Sequence, residues 1–119
     1  MEYLVWLNTH PFVSQYDVLR LDHMEDTFFA KLRITLIDGS VLHTKEYSDS
    51  TTRKYAFHWQ KTDQQWLVRW DNAPHFPQLI SFPNHRHDYR QATEVITESF
   101  DITLPDVLRY IQEQLTNTK

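Results

Sequence analysis

The segment FFAKLRITLIDGS, residues 28–40, restricts the fold more than any other part of the chain. Phe28, Ala30, Leu32, Ile34 and Leu36 alternate with Phe29, Lys31, Arg33 and Thr35. A period of two puts the first set on one side of a pleated strand and the cations on the other. Asp38-Gly39 follows, and Gly39 is the only glycine in the chain. Glycine takes the positive φ that a tight hairpin turn demands, so VLHTKEY is expected to return antiparallel. Glu46 should then lie opposite or near Lys31.

KYAFHWQ and QWLVRWD flank KTDQ and predict a second hairpin. Pairing Gln60 with Gln65 sets Tyr55 against Trp70, Phe57 against Val68 and Trp59 against Trp66. One face is then wholly apolar. The other carries Lys54, Ala56 and His58 against Asp71, Arg69 and Leu67, with Lys54 opposite Asp71 and His58 diagonal to Arg69. QYDVLRLD is expected to be a further strand, with Tyr16, Val18 and Arg20 on one side, and TEVITESF another. In DITLPDVLRYIQEQL, Thr103 suits an N-cap, and Pro105 and Asp106 suit a first turn. Leu104, Val107, Leu108, Ile111 and Leu115 make a helical stripe that should pack on the sheet. The expected fold is α+β: a mostly antiparallel sheet of five to six strands with a C-terminal helix packed on it, residues 1–119 forming a single domain.

Composition narrows the function classes. One glycine disfavours phosphate-binding loops. The absence of cysteine excludes disulfides, Cys-zinc sites and thiol catalysis, and accords with a cytoplasmic location. No apolar run approaches the ~18 residues of a membrane span. MEYLVWLNTH lacks the marks of a signal peptide. The net charge of −4 means that any nucleic-acid contact must use a local cationic patch.

Residues 69–87, RWDNAPHFPQLISFPNHRH, hold three of the five prolines and three of the seven histidines. In an extended segment His85 and His87 project from one face. They can act as two bases titrating near neutrality, or bind a divalent metal with Asp71 as a third ligand. Arg69 suits phosphate, and Asp71 can orient an imidazole or ligate an ion. Asn72 should end the strand in an Asx turn. Prolines exclude Ala73–Pro77 from a central strand and stiffen the loop. His75 is a loop ligand or a surface residue, and His58 supports from beneath. His10, His23 and His43 are read as structural or surface residues.

YAFHWQ, then RWDNAPHFPQLISFPNHRH, then LPDVLRYI resemble the TumE-like proteins of bacterial and archaeal toxin–antitoxin modules, over residues 16–115. The match is specific at Arg69-Trp70-Asp71-Asn72, Ala73-Pro74-His75, Phe82-Pro83 and His85-Arg86-His87. It departs at Phe76 and Asn84, where the family pattern carries histidine. The resemblance implies a cytoplasmic toxin neutralised by a cognate antitoxin, as a homodimer or a toxin–antitoxin hetero-oligomer. Toxins of such modules commonly attack RNA. A small endoribonuclease would use His85, His87, Arg69 and Asp71 for catalysis. Arg86, Lys31, Arg33 and His75 would hold substrate, with His58 and Asn72 in support. Trp70 or Phe76 would stack a base. That version needs no cofactor. A metal-dependent nuclease using His85, His87 and Asp71, or a protein that blocks its target without catalysis, are the alternatives.

Overall fold

The computed structural model describes residues 2–117. Helix α1 (Glu2–Thr9) precedes seven strands: β1 (Val13–Met24), β2 (Thr27–Leu36), β3 (Val41–Ser48), β4 (Arg53–Gln60), β5 (Trp66–Asp71), β6 (His85–Asp88) and β7 (Val95–Glu98). Helix α2 (Leu104–Asn117) closes the chain. The sheet is a simple antiparallel meander in which each strand pairs with the next. The strand count exceeds the expected five to six because both short segments after the long loop, β6 and β7, join the ladder. Four residues are too few to display a clear periodicity.

The alternation in β2 decides which face is covered. Ala30, Leu32, Ile34 and Leu36 are buried, as are Leu42, Phe57, Trp59, Val68 and Trp70 on the neighbouring strands. Leu104, Val107, Leu108 and Ile111 of α2 complete this core, with Leu115 partly buried at its margin. The Thr103 backbone N–H and hydroxyl both donate to Asp106 Oδ2, at 3.0 and 2.8 Å, and fix the start of α2. Helix α1 adds Leu7, 1% exposed, to the same core. Its eight residues carry little amphipathic signal, so the sequence alone does not reveal it. Among the described residues no helix packs on the opposite face of the sheet.

From Val68 to Asp71 the second hairpin keeps its expected faces but not its register, while Trp66 and Leu67 exchange faces. Phe57 faces Trp70 and Trp59 faces Val68, two residues from the expected pairing. A shift of two preserves which side each residue occupies. A bulge then intervenes, and Gln60 faces Trp66. The extra residue, Leu67, turns Trp66 out of the core onto the open face, where it is 50% exposed and meets His58 edge-on at 4.7 Å. Ala56, not Lys54, is opposite Asp71, and His58 is directly opposite Arg69.

Three smaller expectations also change. A register shift between Val18 and Arg20 leaves Tyr16 and Val18 facing Ile34 and Leu32 but sets Arg20 against Lys31 on the open face. Lys31 faces Lys45, whereas Glu46 pairs with Ala30 on the core side and meets Arg53 at 3.6 Å. Asn72 does not form the Asx turn. Its Oδ1 accepts from the Tyr55 N–H at 3.0 Å and its Nδ2 donates to the Arg53 carbonyl at 2.7 Å, which prolongs the β4–β5 junction. Asp71 makes the turn-like bond instead, accepting the Ala73 N–H through Oδ1 at 3.0 Å.

Candidate functional site

Residues 72–84 leave β5 and fold back so that β6 pairs with it. Asp71 faces His85 and Arg69 faces His87 across this pairing. Residues two apart share a face, so all four side chains project from the open side of the sheet. Two segments some fifteen positions apart in sequence thus form one cluster.

Asp71 is its hub. Arg69 Nε donates to Asp71 Oδ2 at 3.0 Å. His85 Nε2 lies 3.0 Å from Oδ1 and His87 Nε2 lies 3.8 Å from Oδ2. The imidazoles are held from behind. His85 Nδ1 is 3.0 Å from the Pro83 carbonyl, which can only accept, so Nδ1 is the donor in this bond. His87 Nδ1 is 2.5 Å from Glu94 Oε2 in the β6–β7 connection and donates likewise. Phe76, from the loop, caps both rings edge-on at 4.8 and 5.7 Å. Access is graded: the side chains of His85, Asp71, His87 and Arg69 are 1%, 9%, 13% and 38% exposed.

Beside the cluster a cleft of about 680 Å³ runs along the open face, lined in part by Lys45, Lys54, Arg69, Asp71 and Tyr47 and walled by Pro74, Phe82 and Pro83 of the loop. Lys31 and Arg33 are exposed on the same face but lie on β2, three strands from Asp71. At about 4.8 Å per strand that is roughly 14 Å, so they can meet a long substrate but not its reacting phosphate. Arg86 lies on the opposite face, with its guanidinium over the Tyr110 ring of α2 at 5.6 Å. Trp70 is on that face too and 2% exposed, so it cannot stack a base. His75 is exposed in the loop and touches Phe76 edge-on at 6.4 Å. Sequence reading does not single out Lys45 or Glu94, and it names Lys54 only as a partner of Asp71. Glu94 follows His87 by seven residues through a turn, and no spacing rule connects them.

His58 lies under the cluster, opposite Arg69 on one side and His43 on the other. Burial, with the Arg69 charge adding to it, pushes its imidazole down to about 4. The unfolded chain protonates this group near pH 6.5, whereas the folded chain does not until about pH 4. Its contribution to stability is therefore intact above pH 6.5 and is lost progressively as pH falls toward 4. His58→Gln is expected to flatten the urea-denaturation midpoint against pH over that window. An unaltered slope would contradict the burial of a neutral imidazole here.

The family model described as Toxin TumE matches residues 3–115. The curated proteins and the solved structures give no match. No helix among the described residues is long and apolar enough to cross a membrane.

Proposed function

This chain belongs to the TumE toxin family, and from that premise we propose that it acts on RNA as a small endoribonuclease at the Arg69–Asp71–His85–His87 cluster, restrained by a cognate antitoxin. The observation that supports this reading is the convergence of a guanidinium, a carboxylate and two imidazoles across the β5–β6 pairing, at the edge of a cation-lined cleft.

Cleavage of a phosphodiester needs a proton acceptor near the attacking oxygen and positive charge on the phosphoryl oxygens as they gain charge. Arg69 supplies the charge. Its Nε is committed to Asp71, and its two terminal nitrogens carry no hydrogen bond to the described residues, so they can take a phosphate. Lys45 and Lys54 extend that field along the cleft, and Lys31 and Arg33 carry it farther across the same face. A basic face on a chain of net charge −4 is the local patch that RNA binding requires. His85 is too deeply buried to meet a substrate directly, so its part is played through Asp71 and whatever Nε2 holds.

The test is expression of the toxin without its antitoxin, with growth and RNA integrity followed together. Wild-type chain is expected to arrest growth and fragment RNA. A His85→Ala/His87→Ala chain that still folds is expected to do neither. Growth arrest that survives this double substitution would show that the protein blocks its target by binding.

A further inference from the structure

We propose that Asp71, His85 and His87 bind one divalent transition-metal ion. One ligand atom from each residue lies within 4.8 Å of the other two. Bonds of about 2.0–2.2 Å to a shared ion close this triangle with a modest turn of the His87 ring, the most exposed of the three.

Proton positions carry the inference beyond proximity. Each imidazole has its Nδ1 proton committed to a fixed acceptor, the Pro83 carbonyl for His85 and Glu94 for His87. In the neutral ring each Nε2 then keeps a lone pair, and both Nε2 atoms face the Asp71 carboxylate. His85 Nε2 is fully buried and makes no hydrogen bond, although Asp71 Oδ1 is only 3.0 Å away. A lone pair and a carboxylate oxygen at that distance repel unless a proton or a metal ion lies between them. An imidazole whose far nitrogen donates to a carboxylate or carbonyl is the usual support of a metal-binding histidine, because it fixes the tautomer and raises ligand basicity.

Asp71 has the capacity to ligate as well. Each of its oxygens accepts one hydrogen bond, from Arg69 and from the Ala73 N–H, and each keeps a further acceptor site. Two imidazoles and one carboxylate suit zinc, manganese or iron and disfavour magnesium or calcium, which prefer oxygen. Three protein ligands leave a fourth position open, the pattern of catalytic and not structural metal sites. Arg69 bonds to the same carboxylate, so an anion bound to the ion would have a second positive charge nearby. The catalytic meaning of the ion rests on the RNA-cleavage reading, but its binding does not.

Untagged protein dialysed against chelator would be titrated with zinc sulfate and with manganese chloride by calorimetry, without RNA. One equivalent per chain is expected. His23→Ala, on the far β1 edge, should leave affinity unchanged. Glu94→Gln should weaken binding about 10- to 100-fold, and His87→Ala should weaken it by more. His85 is buried deeply enough that its loss could unfold the chain, so His87 and Glu94, both nearer the surface, carry the test. Nitrogen-15 NMR of the metal-free protein should find both imidazoles protonated on Nδ1. Stoichiometry and affinity unchanged in His87→Ala, or Nε2-protonated tautomers at both histidines, would overturn the site. Metal binding without RNA cleavage would leave the site standing and remove the ribonuclease reading. Full cleavage in chelator by protein assayed as metal-free would remove the ion from catalysis.

Discussion

Arg69→Ala is expected to lower RNA cleavage by about 10²–10³-fold with little change in melting temperature. The guanidinium is 38% exposed, so its removal leaves no cavity in the core. What is lost is positive charge at the point where a phosphate would sit. Arg69→Lys should recover only part of the rate, because an ammonium cannot both bond to Asp71 and present two further donors in a fixed plane. Arg109→Ala, an exposed cation on α2, should cleave as the wild type does. Initial rates on a fluorogenic RNA oligonucleotide measure all three. Equal rates for Arg69→Ala and the wild type would remove the cluster as the site of chemistry.

Trp70→Ala carries the largest stability effect. The indole is 2% exposed, faces Phe57 across the β4–β5 pairing and meets the Tyr110 ring edge-on at 5.4 Å. Its removal deletes the ring contact with Tyr110 and empties part of the core between sheet and α2, and should cost about 3–5 kcal/mol. That is a large part of the roughly 5–15 kcal/mol that holds a domain of this size together. Trp66→Ala, by contrast, removes a half-exposed ring from the open face and should cost well under half as much. Urea denaturation of the two variants separates the observed register from the one in which Trp59 faces Trp66. Equal losses would mean that Trp66 is also a core residue.

The Trp66 outcome shows where reading from sequence stops. Apolar alternation identified the faces of β4 and of Val68 to Asp71 in β5, because a slip of two residues leaves each of these side chains on its own side. It could not identify the bulge at Leu67, because a bulge inserts one residue into an otherwise regular pattern and the flanking chain looks the same. Arg86 illustrates a different limit. A basic residue between two histidines suggests a phosphate contact, but strand periodicity turns it to the opposite face, where it packs on Tyr110.

The identity of β1 to β5, the first turn at Gly39, the stripe and cap of α2, and the shared face of His85 and His87 once extended all follow from local periodicity and backbone preference. These are properties of neighbours in sequence, and the sequence by itself determined them. The meeting of Asp71 with His85, the support of His87 by Glu94 and the cover given by Phe76 are contacts between segments whose separation in the chain carries no spacing rule. The pairing of β5 with β6, the turn from β6 to β7 and the path of the loop decided them. The return of the proline-stiffened loop is stabilised by backbone hydrogen bonds and core burial, which do not depend on which polar side chains are thereby brought together.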